Sequence, residues 1–321
     1  FKHLNKQFNK EKPNTVLPFR TFLSKMLANP YKEIRNVFLI FSDMIKSYVG
    51  EGKDEYPDDP ESINFAYYDC SKLFVEETDN PFFADRLFSN RFIKLINSMR
   101  SGAQQNKIYI FEGPPGCGKS TFLNNLLMKF ETYCNTEEGQ RYETIWRLDR
   151  KELGNTLQNE IIQVVEEEAL QAAPQAIPGM VNSSPGPLYI HETDSYVEIP
   201  CPSHDHPILM IPKAYRREFL DSLFSNNKFK WELFTEKEYE WVFQQRPCTI
   251  CSSLYNALHE KFNDPQKIMD MIYIRPYVVN RRLGQGISVF NPGDRQVKQN
   301  ILTNPMLQNR INMLFQDSNL V

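Results

Sequence analysis

A chain of 321 residues, 41% hydrophobic and 24% charged, with 23 Phe and 15 Tyr, carries apolar mass for about two packed domains and excludes disorder as its overall state. A net charge of −3 leaves no electrostatic footprint for nucleic acid over the whole chain. The longest apolar run, "VFLIF" at 37–41, is far too short to span a bilayer, so no membrane partner is expected.

The segment from Phe1 is polar and basic and carries no signal-peptide pattern. Six cysteines in a chain of this length do not suggest a disulfide scaffold, so a reducing, cytoplasmic setting is expected. Residues 31–49 read as one amphipathic helix, with Ile34, Val37, Phe38, Phe41, Met44, Ile45 and Tyr48 along one face. The polar stretch "GEGKDEYPDDPES" at 50–62 is a loop. Residues 83–102 then predict a helix leading into a short strand, Ile108–Phe111, rich in β-branched and aromatic residues.

After that strand comes Gly113-Pro114-Pro115-Gly116-Cys117-Gly118-Lys119-Ser120, which fits the phosphate-loop pattern G-x-x-x-x-G-K-[ST] at every fixed position. Phe122, Leu123, Leu126, Leu127 and Phe130 recur behind it at helical spacing. The chemistry follows from that context. The glycines let successive N–H groups turn inward as an anion nest, and the helix start adds its positive dipole end. Lys119 can reach the β- and γ-phosphates, and the Ser120 hydroxyl can ligate Mg²⁺. Thr121 completes the candidate nucleotide set, and Cys117 reads as a small filler of which only the backbone is needed.

Further along, "ETIWRLD" at 143–149 predicts a second strand and residues 152–171 a second long helix, an order that suggests an α/β core. "QAAPQAIPGMVNSSPGP" at 171–187 reads as a flexible connection. Beyond it the pattern predicts a strand near 195–200, helices near 213–224 and 236–245, a strand at 271–279 and a helix near 304–315. The helix near 236–245 opens with a capping box, Thr235-x-x-Glu238. The Arg pairs in "YRREF" and "NRRLG" read as solvated faces or salt-bridge partners.

Two short-spaced pairs could hold a metal. Cys201 precedes His204 by three residues and Cys248 precedes Cys251 by three, the spacing that lets two ligands from one tight turn meet one ion. Together they offer a Cys₃His set for structural Zn²⁺, with His206 a spare. The alternative is that these cysteines are small buried hydrophobes, and residues 205–247 make a long gap for a compact zinc finger.

Several stretches together resemble one family. "FADRLFSNRFIKLINSMRSGAQQNKIYIFEGPPGCGKST", "CPSHDHPILMIPKAYRREFLDSL", the "CTIC" knuckle and "RRLGQGISVFNPGDR" are similar to the AAA-type ATPase domain of PrkA-type serine protein kinases. The loop departs from the Gly-Pro-Val-Gly-Gly-Gly more usual there, and the segment at 171–187 looks like an insertion. The resemblance implies an AAA+ fold, ATP binding and a bacterial cytosolic protein. It maps Gly113, Gly116, Gly118, Lys119, Ser120 and Thr121 onto the nucleotide loop, and Cys201, His204, Cys248 and Cys251 onto a Cys/His pattern that some members carry.

The expected fold class is therefore α/β, a P-loop NTPase core of AAA+ type with a helical N-terminal piece and a Cys/His-containing α+β insertion. The expected division is a helical region at 1–80, the nucleotide core at 81–170, a Pro-rich segment at 171–187, a zinc-knuckle insertion at 188–265 and a continuation of the ATPase domain at 266–321. No buried strand ends convincingly in the Asp or Glu that hydrolysis needs. "TIWRLD" is interrupted by Arg147, although Asp149 is the first place to look. His-Arg-Asp and Asp-Phe-Gly kinase motifs are missing. The economical expectation is one portion of a larger protein that binds ATP, hydrolyses it when complete and oligomeric, and couples it to protein Ser/Thr phosphorylation. The alternative is a nucleotide-dependent assembly or switch ATPase in a multi-subunit bacterial complex such as a phage-defence system. Expected partners are nucleotide, further copies of the chain and a protein substrate.

Overall fold

The computed structural model describes residues 16–54, 66–102, 107–153, 191–192, 195–225 and 227–289. Most of the expected helix at 152–171, the Pro-rich segment at 171–187 and the helix near 304–315 lie outside the described residues. The chain divides into a unit Phe1–Ile287 and a unit Ser288–Val321, and all that follows concerns the first.

Strand β1 (Leu17–Pro18) runs into helix α1 (Phe19–Ala28), which buries Phe19, Phe22 and Met26 on one face. The helix expected over 31–49 is in fact two. Helix α2 (Pro30–Glu33) stops at Ile34, and α3 (Val37–Val49) restarts where the Asn36 side chain accepts the Leu39 N–H at 3.0 Å. An Asn at this point satisfies an orphan donor of a new helix better than it continues an old one. Helix α4 (Ser71–Phe74) follows, and then α5 (Arg86–Arg100), capped by Asp85 and close to the expected span. Helix α6 (Lys119–Cys134) buries Phe122, Leu126, Phe130 and Cys134. Phe74, Phe82, Phe88, Phe92 and Phe122 meet with ring centroids 5.2–6.0 Å apart, so this helical body has a phenylalanine core.

The remaining elements build a sheet and its cover. Strand β2 (Arg141–Asp149) ends in a single turn, α7 (Arg150–Leu153), and β3 (His191–Glu192), β4 (Tyr196–Pro200) and β5 (Ile272–Tyr277) complete five strands in the order β1-β5-β2-β4-β3. Among the described residues every pairing is antiparallel, with β2 between β5 and β4. Tyr142, Trp146 and Leu148 of β2 join Val197, Ile199, Ile272 and Ile274 in one buried cluster with α1 and the helices that follow β4. Alternate positions of β2 carry charge instead. Glu143 faces Arg275 across the β5 register, and Arg147 faces Glu198 across the β4 register, each as an ion pair.

The covering helices are α8 (Lys213–Leu223), α9 (Lys228–Thr235), α10 (Glu240–Gln244), α11 (Thr249–Phe262) and α12 (Pro265–Asp270). Thr235 does not cap a helix here: its hydroxyl donates to the Trp231 carbonyl at 2.9 Å and closes α9. The Arg pair of "YRREF" also differs from a solvated face. Arg217 stacks on Phe234 and Phe243, while Arg216 is 0% exposed and donates to the carbonyls of Leu209, Ile211, Val242 and Gln245. Four carbonyl dipoles stand where a carboxylate would be expected, and burial pulls the guanidinium down to about 10.

Candidate functional site

The phosphate loop reaches the start of α6 in the conformation its glycines allow. Gly116 (φ 81°) and Gly118 (φ 86°) both sit in the left-handed region, and Gly118 is the residue immediately before the helix. A Cβ on Gly118 would lie 3.0 Å from the Phe82 ring, so close packing as well as backbone angle requires glycine there. The Cys117 N–H donates to the Pro114 carbonyl at 3.3 Å and closes the turn. The Lys119 ammonium folds back onto the loop, donating to the Gly113 carbonyl at 2.6 Å and the Pro114 carbonyl at 2.8 Å. Pro114, Pro115, Cys117 and Ser120 are exposed, and Thr121 is half-buried. The loop is anchored from below: Asn125 of α6 donates to the carbonyls of Phe74 and Asn80, and Phe122 packs on Phe82 and Phe111.

The segment before the loop departs from expectation. Ile108–Phe111 forms no strand, and Ile108 and Ile110 are 91% and 77% exposed. Its composition suits a buried strand, but among the described residues no neighbouring strand pairs with it. Asp149, the first candidate for a hydrolytic carboxylate, closes β2 and accepts the Lys151 N–H at 2.8 Å, so it caps the turn of α7.

The second candidate site is a cluster of thiols. Cys201, just after β4, meets Cys248 and Cys251 at the start of α11, and the fourth group among them is the Asp205 carboxylate. All four offered atoms lie within 4.8 Å of one another. His204, the expected fourth ligand, is not in the cluster. Its backbone is left-handed (φ 50°), which turns its side chain out and brings Asp205 in. The His204 Nδ1 instead meets the Glu143 carboxylate at 2.5 Å, and its ring packs at a tilt against Tyr277 with centroids 4.4 Å apart. Burial pushes the Glu143 carboxyl up, but His204 and Arg275 outweigh it and hold the group below its ordinary value. His206, the spare, is half-buried with its ring edge-on to Phe22 and Trp241, and its Nε2 meets the Glu33 carbonyl at 2.8 Å. Sequence reasoning missed Asp205, although an acid directly after the Cys-x-x-His signal was visible.

The cluster fits a soft, four-coordinate ion. With Zn–S near 2.3 Å and Zn–O near 2.1 Å, a tetrahedron has S···S edges of about 3.8 Å and S···O edges of about 3.6 Å. The Cys201 and Cys248 sulfurs are 3.7 Å apart, and Cys201 Sγ lies 3.3 Å from Asp205 Oδ2. The Cys248 thiol is held well below its ordinary value, first because it accepts hydrogen bonds from the Cys201 and Cys251 thiols. Burial raises the Asp205 carboxyl to about 6. No family model, no curated protein and no solved structure matches the chain, so the likeness to PrkA-type kinases rests on the motifs quoted above.

Proposed function

We propose that the chain is an ATP-binding module of AAA+ type, from a PrkA-like protein that hydrolyses ATP once a water-ordering carboxylate and a neighbouring subunit's arginine complete the site. The observation that carries this reading is the complete phosphate loop at the first turn of a 16-residue helix, with left-handed Gly116 and Gly118. In this reading the loop N–H groups and the helix end hold the phosphates, and Lys119 leaves the Gly113 and Pro114 carbonyls to offset their charge. Ser120, already exposed, would hold Mg²⁺, which supplies further charge neutralisation at the β- and γ-oxygens. Coupling to protein Ser/Thr phosphorylation follows from the resemblance alone.

Titration of a fluorescent ATP analogue into wild type and Lys119→Ala tests this. Loss of the charge-assisted contact should weaken binding about ten- to hundredfold. The melting temperature should not move, because the contacts that Lys119 makes in the free loop are exposed. Equal affinities would mean that the loop is not the nucleotide site.

A further inference from the structure

We propose that Cys201, Asp205, Cys248 and Cys251 bind one Zn²⁺, with the Asp205 carboxylate as the fourth ligand and His204 outside the coordination sphere. This inference does not depend on the nucleotide reading.

The hydrogen bonds around the cluster distinguish Asp205 from His204. Each atom offered to the ion already has one N–H donor behind it. The Asp205 N–H points at the Cys201 sulfur (3.3 Å), and the Cys251 N–H at the Cys248 sulfur (3.4 Å). The Trp146 indole N–H points at the Cys251 sulfur (3.3 Å), and the Cys248 N–H at Asp205 Oδ2 (2.7 Å). Donors of this kind stabilise thiolates and carboxylates and fix their orientation toward a cation. The set is complete with Asp205 included. His204 has no place in it: Glu143 engages its Nδ1, Arg141 donates to its carbonyl at 3.2 Å, and Tyr277 covers its ring.

Three thiolates with one carboxylate suit zinc by softness and by edge length, and four protein ligands leave no open position for catalysis. The ion would join the turn after β4 to the first turn of α11, with Trp146 of β2 behind it. Its role is to fasten the sheet to its helical cover. Cys201 and Cys251, each 1% exposed, are shielded from exchange, whereas the Asp205 vertex is half-buried.

The whole chain, purified without a His tag under reducing conditions, should contain one zinc per molecule by elemental analysis, with iron far below stoichiometry. In competition with a chromophoric chelator, Asp205→Asn should lose at least about tenfold in zinc affinity, and His204→Gln should change it by less than about threefold. Asp205→Cys should restore full occupancy. Substituted with Co²⁺, it should show stronger thiolate charge-transfer absorption than wild type, a gain that no folding defect can mimic. Loss of zinc from His204→Gln with retention in Asp205→Asn would make histidine the ligand and overturn the assignment. Stoichiometric iron, or wild type that takes up no metal on reconstitution, would overturn it as well.

Discussion

The helical body beneath the phosphate loop and the sheet with its cysteine cluster solve the same problem in opposite ways. In the helical body the chemistry is backbone chemistry: eight consecutive residues shape the loop, and packed phenylalanines below hold it in place. In the sheet region the chemistry is side-chain chemistry. Its groups come from β2, the turn after β4 and the start of α11, and the fold itself must bring them together. A site made from neighbours in sequence survives small shifts in packing, whereas a site gathered across 105 residues of separation is only as good as the elements that carry it.

The sharpest test of this contrast is Phe122→Ala. Phe122 is buried among five other phenylalanines, so truncation should cost about 3–5 kcal/mol. It should also weaken nucleotide binding, because the first turn of α6 loses its support. Chemical denaturation paired with nucleotide titration reads both effects. A stability loss with unchanged affinity would show that the loop holds its shape without the core beneath it.

Arg216→Met probes the other region. Removing the guanidinium leaves four carbonyls without their buried donor, and the loss should be at least about 3 kcal/mol. Zinc retention should fall with it, while nucleotide affinity per folded molecule stays at the wild-type value. Equal damage to both sites would mean that the two regions are one cooperative structure.

The smallest effect is acid sensitivity. Glu143 is held below its ordinary value of 4.5, so the unfolded chain takes up its proton first as pH falls. Its contribution to stability is therefore complete above pH 4.5 and is lost as pH drops through the lowered value. Melting curves between neutral and acid pH should fall less steeply for Glu143→Gln than for wild type. Parallel curves would show that the link from Arg275 through Glu143 to His204 does not matter to folding.

The same contrast explains what could be read in advance. The turn of the loop and the helix behind it were legible because both are local, and glycine and helical periodicity report backbone shape directly. The strands of residues 143–149, 195–200 and 271–279 were legible from composition. Their antiparallel pairing was not, since register depends on partners far away in sequence. The cysteine trio was legible as knuckle spacings, but the choice between His204 and Asp205 turned on a single left-handed residue. The break at Asn36 and the burial of Arg216 were hidden for a related reason: a local hydrogen bond and a set of distant carbonyls outweighed apolar spacing and charge.

Pro114 and Pro115 carry a consequence for how the loop would meet a phosphate. Neither has an N–H to offer, so the middle of the loop gives an anion no donor between Gly113 and Gly116, and both have a locked φ. The loop is thus already bent before any phosphate arrives, with Lys119 holding its inner carbonyls as an internal counter-group. If the loop binds phosphate as proposed, the cost to be met is an exchange of partners at Lys119, from the Gly113 and Pro114 carbonyls to the ligand, more than an ordering of the chain.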